Sequence, residues 1–390
     1  MDADVWLLPI IHPIRQPAPR GLCLVRRAHR AAAFSEDDVH SLFALGFGPF
    51  FQEQSQRFGD FFPARIAAEH RGGFEVWTET SAGLARLSGK LRHQQETAAV
   101  GDWVVLREQP GPDRAVVIEH IFERRTAFTR GAAGRQMREQ IVAANVDQVF
   151  IVCGLDQDFN VHRIERYLAR VWASGALPAV ILNKADLCAD VAGSVRQVER
   201  HAVGAPIFVT RATVAGGLPS VALTIQAGST TAFVGSSGAG KSTLINALVG
   251  ARAMDTALTR ASDGRGCHTT THRQLVFLPQ GGLLLDTPGM RELQLLDEDG
   301  LDRVFDDIEA LAARCRFRDC RHQHEPGCAV KEAVLTGELA SDRLEHYDQL
   351  QGEAQAFERR HDEHLRRQSE RVWGQLHEEA ARLRKWKEGG

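Results

Sequence analysis

Thr230-Thr231-Ala232-Phe233-Val234-Gly235-Ser236-Ser237-Gly238-Ala239-Gly240-Lys241-Ser242-Thr243 decides the reading of this chain. An apolar, β-prone run from Thr230 to Val234 feeds the pattern G-x-x-x-x-G-K-S, and Ser242 to Val249 continues as a helix. Strand, glycine-rich loop and helix in that order form a phosphate loop. Gly235, Gly238 and Gly240 let the N–H groups of the loop, from Ser236 to Ala239, face phosphate oxygens, and the helix presents its positive end there. Lys241 is placed to reach the β- and γ-phosphates. Ser242 offers a hydroxyl to Mg²⁺, and Thr243 completes the nucleotide-binding set.

Two further motifs lie outward from this loop. Upstream, Pro178 to Leu182 reads as a strand that ends in Asn183-Lys184-Ala185-Asp186. Asp186 can accept hydrogen bonds from the N1 and N2 donors of guanine, which adenine lacks, so a site built on it selects GTP over ATP. Asn183 would brace neighbouring loops, and the Lys184 stem would lie along the purine face. Thr210-Arg211-Ala212 stands where a Ser-Ala pair usually completes a guanine site. Downstream, Leu283-Leu284-Leu285 leads into Asp286-Thr287-Pro288-Gly289. Asp286 is expected to hold Mg²⁺ through water, and the Gly289 N–H to sense the γ-phosphate. A Ras-like GTPase runs phosphate loop, DxxG, NKxD; here NKxD comes first, which is a circular permutation.

Met290 follows Gly289 where Ras-like enzymes often place a water-orienting glutamine. The candidate catalytic group is then His268, in Gly266-Cys267-His268-Thr269-Thr270-Thr271, between the phosphate-loop helix and the next strand. Thr270 or Thr269 would complete the Mg²⁺ shell; the competing reading makes His268 a surface histidine.

Around these motifs strands and helices alternate. Gln148 to Cys153, Ala205 to Val209, Leu275 to Leu278 and Gly282 to Leu285 read as strands, and Val161 to Ser174 and Val191 to Val203 as helices. The expectation is an α/β sheet with its ligand loops at the strand ends. From Phe61 to Thr129 the pattern changes to five short alternating stretches, 64–67, 72–77, 84–91, 101–106 and 115–118, which fit an OB-type β-barrel. Arg65, Arg71, Trp77, Arg86, Lys90, Arg92 and Trp103 would serve as an RNA face of that barrel; equally, the tryptophans are core and the charges solvated.

Behind the permuted domain, Cys315-x₄-Cys320-x-His322-x₅-Cys328 offers three thiolates and an imidazole, a set suited to tetrahedral Zn²⁺. His324 competes with His322 as the fourth ligand. Arg314, Arg316, Arg318 and Arg321 surround the cluster, as rRNA contacts or as solvated charges. Ser341 to Lys387 reads as exposed helix of mixed charge.

The motif order, the His-Thr-Thr segment, the barrel before and the cysteine cluster behind resemble the RsgA (YjeQ) family over roughly residues 40–350. The resemblance implies an OB-fold barrel, a circularly permuted α/β P-loop GTPase domain and a mostly α zinc-binding domain. It also implies GTP hydrolysis stimulated by the small ribosomal subunit in its late maturation and linked to release of assembly factors. His322 is the ligand that the family's Cys-x-His spacing implies. Members usually carry Arg before the His-Thr-Thr; this chain has Cys267.

The expected domains are an N-terminal extension over 1–40, poorly ordered, a barrel with its lead-in over 41–135, the permuted domain over 136–297 and the zinc domain with C-terminal helices over 298–390. Leaving Gly289, the chain enters the metal module within a few turns, so nucleotide state is expected to act on that module directly. The 390 residues carry a formal charge of -3, so any rRNA contact must come from local patches. Seven cysteines, three of them beside a histidine in one short stretch, suit a reducing compartment, hence the cytoplasm. No export signal or membrane span is read, and a monomer is expected. The partners implied are GTP/GDP, Mg²⁺, Zn²⁺, the small subunit with its rRNA, and assembly factors. A nucleotide-gated rRNA-binding protein with vestigial hydrolysis is the alternative, and a P-loop ATPase with an accidental NKAD a third reading.

Overall fold

A computed structural model describes residues 41–70, 72–111, 114–131, 139–202, 204–211, 219–249, 274–279, 281–286, 300–356 and 359. Helix α1 (Pro49–Ser55) lays Phe51 against Trp103, and the turn before it adds Phe47, with ring centroids 5.8 and 4.7 Å from that of Trp103. Strands β1 (Phe62–His70), β2 (Gly73–Trp77), β3 (Ala82–Leu87), β4 (Trp103–Leu106) and β5 (Val116–Ile121) follow in the order β1-β2-β3-β5-β4, and β4 returns to β1. This closed five-stranded barrel has the parallel β3–β5 contact that a Greek-key OB path requires. The expected third stretch, 84–91, ends early as a strand. The Ser88 hydroxyl accepts from the Leu91 N–H and starts helix α2 (Gly89–His93) instead.

The barrel's assignment between RNA face and core is resolved for three of its seven candidates. Trp103 and Trp77 are buried, and Arg65 is only 1% exposed. The Arg65 guanidinium donates to the carbonyls of Leu45, Gly101 and Asn145 and to the Thr230 hydroxyl. Burial lowers its pKa to about 10. These three belong to the core and the junction beneath the phosphate loop, because a cation ringed by four acceptors is better satisfied inside than on an RNA backbone. Arg86, Lys90 and Arg92 are exposed; Arg71 lies outside the described residues.

An unanticipated two-stranded ribbon, β6 (Ala127–Gly131) against β7 (Glu139–Ala144), leads into the second layer. There the chain runs β8 (Gln148–Gly154), α3 (Val161–Ala173), β9 (Leu177–Asn183), α4 (Val191–Glu199), β10 (Ile207–Val209), α5 (Pro219–Thr224), β11 (Thr230–Gly235), α6 (Lys241–Val249), β12 (Gln274–Phe277) and β13 (Leu283–Asp286). The strand order is β10-β9-β8-β11-β13-β12, parallel as far as β13, with β12 antiparallel. Phe150, Ile181, Phe233, Leu244 and Leu284 form its core, and the near-continuous apolar reading of β8, β9 and β11 reflects burial on both faces. A single Ala68–Gln274 pairing joins β1 to β12, and Trp77 stacks on Phe277 at 5.2 Å.

Beyond the sheet lie α7 (Leu301–Val304), α8 (Asp306–Ala312), α9 (Ala329–Thr336) and a helical run over 341–356. The expected extension over 1–40 and the C-terminal helix beyond 356 fall outside the described residues apart from residue 359, as do the stretches 132–138 and 287–299 that hold the expected boundaries at 135 and 297. Among the described residues no helix is long and apolar enough to cross a membrane.

Candidate functional site

Parallel pairing puts the carboxyl ends of four neighbouring strands at one edge. Gly154 of β8 lies opposite Asn183 of β9, and Gly235 of β11 opposite Val152 of β8. β13 runs parallel beside β11 and ends at Asp286, whose side chain, with Thr287, Gly289 and Met290, lies outside the described residues. The phosphate loop, the NKAD motif and the strand leading to the DxxG motif therefore converge, although they are far apart in sequence.

In the loop, Lys241 turns its Nζ onto the carbonyls of Gly235 and Ser236, 2.8 Å from the first. Ser242 and Thr243 sit half-buried in the first turn of α6, while Ser237 and Gly238 are exposed at the loop tip. The loop is braced from the guanine side. Asn183 Nδ2 donates to the Ala239 carbonyl at 3.0 Å, and the Thr210 hydroxyl donates to Asn183 Oδ1 at 3.1 Å. Gly240 has φ +99°, and a Cβ there would fall 2.2 Å from Asn183 Nδ2, so glycine is required for this approach. Thr210, which departs from the usual Ser-Ala, is buried and holds the guanine-motif asparagine in place.

Lys184 adopts left-handed backbone, φ +59°, at the head of a short 3₁₀ turn that carries Asp186 outward to solvent. Its ammonium lies 2.5 Å from Asp156 Oδ2, a contact that holds the Asp156 carboxyl below its usual range. Asp158, two residues on, accepts from the Ser236 hydroxyl and pairs with Arg163 at 2.7 Å. Neither acid belonged to a motif. The signal available was an Asp-x-Asp directly after an apolar parallel strand, where loops meet ligands.

Cys315, Cys320, His322 and Cys328 come together with ligand atoms within 4.8 Å of one another. Cys315 Sγ lies 3.9 Å from Cys328 Sγ, and His322 Nδ1 lies 3.6 and 3.3 Å from those two sulfurs. Tetrahedral zinc with thiolates at about 2.3 Å wants sulfurs about 3.8 Å apart, so the spacings among Cys315, Cys328 and His322 suit such an ion, with Cys320 in the same cluster. His322 reaches inward with φ +58°, whereas His324 is exposed and outside the cluster. The loop is shaped by Glu325, which accepts from the backbone N–H of Arg321, Gln323 and His324 at 2.9–3.1 Å. Burial pushes the Cys315 thiol up, but the backbone N–H groups of Val330 and Ala329 bring it below its ordinary value, while Cys320, desolvated beside the other two thiols, is pushed up to about 11.

His268, Thr269, Thr270 and Cys267 lie outside the described residues. On the barrel, Arg57, Phe58, His120 and Arg124 line a cleft of about 400 Å³.

The model of the RsgA GTPase family matches residues 121–296. A protein of Opitutus terrae named "Small ribosomal subunit biogenesis GTPase RsgA" is 44% identical over 87% of this chain and 96% of its own length. One of the same name from Xylella fastidiosa strain M23 is 47% identical over 75% of this chain and 87% of its own. The crystal structure of YjeQ from Thermotoga maritima, 28% identical, superposes with a TM-score of 0.57 over 75% of this chain and 98% of that one. YloQ, described as a circularly permuted GTPase, is also 28% identical and gives 0.56 over 76% and 96%. A permuted nucleotide site on a barrel-bearing scaffold, with relatives this similar along nearly their whole length, makes this chain a member of the RsgA GTPase family.

Proposed function

We propose that this chain hydrolyses GTP when docked on the small ribosomal subunit late in its maturation, and that hydrolysis is linked to release of assembly factors. The observation that carries the reading is the convergence of Asn183, Lys184, the 235–242 loop and the end of β13 on one sheet edge. Asp186 selects guanine, Lys241 and the loop N–H groups take the phosphates, and Ser242 with Asp286 would hold Mg²⁺. The ion, when bound, would neutralise charge developing between the β- and γ-phosphates. His268 would orient the attacking water and Thr270 complete the Mg²⁺ shell.

Cys315, Cys320, His322 and Cys328 hold a structural Zn²⁺ in this reading. Arg86, Lys90 and Arg92 on the barrel and Arg314, Arg316, Arg318 and Arg321 around the metal loop are exposed and would meet rRNA phosphates. The chain acts as a cytoplasmic monomer, with domain boundaries near residues 40, 135 and 297.

The test is GTP and ATP turnover by the purified protein, with and without small ribosomal subunits, at several salt concentrations. Stimulation confined to GTP and falling with salt is expected. The Asp186→Asn variant should transfer turnover to xanthosine triphosphate, losing roughly 100-fold for GTP with two charge-assisted hydrogen bonds. Tight GTP binding with no stimulation would replace this reading by a nucleotide-gated rRNA-binding protein.

A further inference from the structure

Helix α3 carries two sets of polar contacts that belong to different parts of the molecule. The loop before it grips both nucleotide motifs: Asp156 holds Lys184, and Asp158 accepts from Ser236 while pairing with Arg163 on the helix itself. Asn160 caps the helix, its side chain accepting from the Arg163 N–H at 2.8 Å, so loop and helix are fastened together.

One turn further on, Glu165 is wholly buried. One oxygen lies 2.5 Å from the Arg343 guanidinium and 2.8 Å from His201 Nδ1; the other lies 2.6 Å from His346 Nδ1 and 3.2 Å from His162 Nδ1. Arg343 and His346 belong to the helical run 341–356. Arg343 also makes a two-pronged pair with Asp307 at 2.6 and 2.7 Å and donates to the Val304 carbonyl. His162, Glu165 and His346 place donor atoms within 4.8 Å of one another. Because Arg343 already neutralises this carboxylate, the cluster is an ionic clamp and not a second metal centre.

The same helix seats the start of the C-terminal region. A Cβ on Gly300 would fall 1.7 Å from the Ala169 carbonyl oxygen, so α7 begins in contact with α3, and Arg303 lies over the Trp172 ring.

We propose that α3 transmits nucleotide state to the C-terminal metal module, with Asp158 and Glu165 as the positioning residues at its two contacts. A nucleotide that moves Ser236 or Lys184 moves the loop fastened to α3. The module cannot stay behind, because sliding would strand the buried Glu165 charge without Arg343, and an uncompensated buried ion is strongly disfavoured. The proposal rests on the GTPase reading and adds a route independent of the chain segment that follows Gly289.

The experiment uses the full chain. Amide hydrogen exchange in residues 341–356 is compared with GDP and with a non-hydrolysable GTP analogue, and GTP turnover is measured with and without small subunits. In the wild type, exchange in this segment should differ between the two nucleotides. Glu165→Gln keeps the shape and removes the charge. It should leave basal kcat and KM within about twofold, abolish the nucleotide-dependent difference and cut subunit stimulation by roughly fivefold or more. Should Glu165→Gln fold poorly, His346→Asn, which removes one of the four partners, should shift both readouts in the same direction by less.

A wild type whose 341–356 exchange ignores nucleotide overturns the proposal, as does a folded Glu165→Gln protein that keeps the wild-type difference. If subunits fail to stimulate the wild type, the functional reading falls, while the exchange comparison still decides the coupling.

Discussion

Arg65 shows how one side chain changes meaning between chain and fold. In sequence it stands among basic and aromatic residues on a barrel strand and suits an RNA face. In the structure its guanidinium is spent on the Leu45, Gly101 and Asn145 carbonyls and the Thr230 hydroxyl, at the root of the phosphate-loop strand. Arg65→Met keeps the bulk and removes every donor, leaving buried acceptors unpaired. The expected loss is about 3–5 kcal/mol, read as a lower urea midpoint at unchanged slope. The exposed Arg86→Met should stay within about 0.5 kcal/mol.

At the scale of an element, the segment from Cys315 to α9 has too little apolar content to fold on packing alone. Two polar devices organise it: Glu325 collects backbone N–H groups, its own included, which hold its carboxyl at about 2, and Cys328 accepts from the Lys331 N–H as the cap of α9. A metal held by the proposed four ligands would join loop to helix, and its binding energy would become folding energy. Cys328→Ser removes a ligand and weakens that cap. Elemental analysis should fall from about one zinc per chain to near none, with amide protection lost in α9 ahead of the parallel sheet. Retention of a full equivalent in this variant would count against the four-ligand set. The spacing of the thiols was legible in the chain, whereas the preference for His322 over His324 came from the family resemblance; Glu325's part was not legible, because it depends on loop closure.

For the whole molecule, the Glu165 clamp ties stability to pH. Burial alone would raise its carboxyl; the His201 and His346 contacts, with Arg343 alongside, bring it to about 2, from an ordinary 4.5. A depressed carboxylate contributes stability above the unfolded value and loses it as pH falls towards the folded one. The groups facing it are Arg343, His162, His201 and His346, with Asp307 behind the arginine. Between about pH 4.5 and pH 2 the protein should therefore lose roughly 3 kcal/mol that Glu165→Gln does not lose, measured as denaturant midpoints across that range.

The sequence alone determined the fold class, the permuted order of motifs and the clustering of three thiols with a histidine. Each rests on short-range spacing that backbone geometry translates directly: a glycine loop between strand and helix, a tetrad at strand end, thiols a few residues apart. What tertiary structure alone decided are the contacts whose partners lie far apart in the chain. Arg65 meets Thr230, Thr210 meets Asn183, Asp158 meets Ser236, and Glu165 meets Arg343 across 178 positions. No periodicity records such pairs, because a charged or polar residue reads the same on a surface as in a core until the fold supplies the groups that surround it.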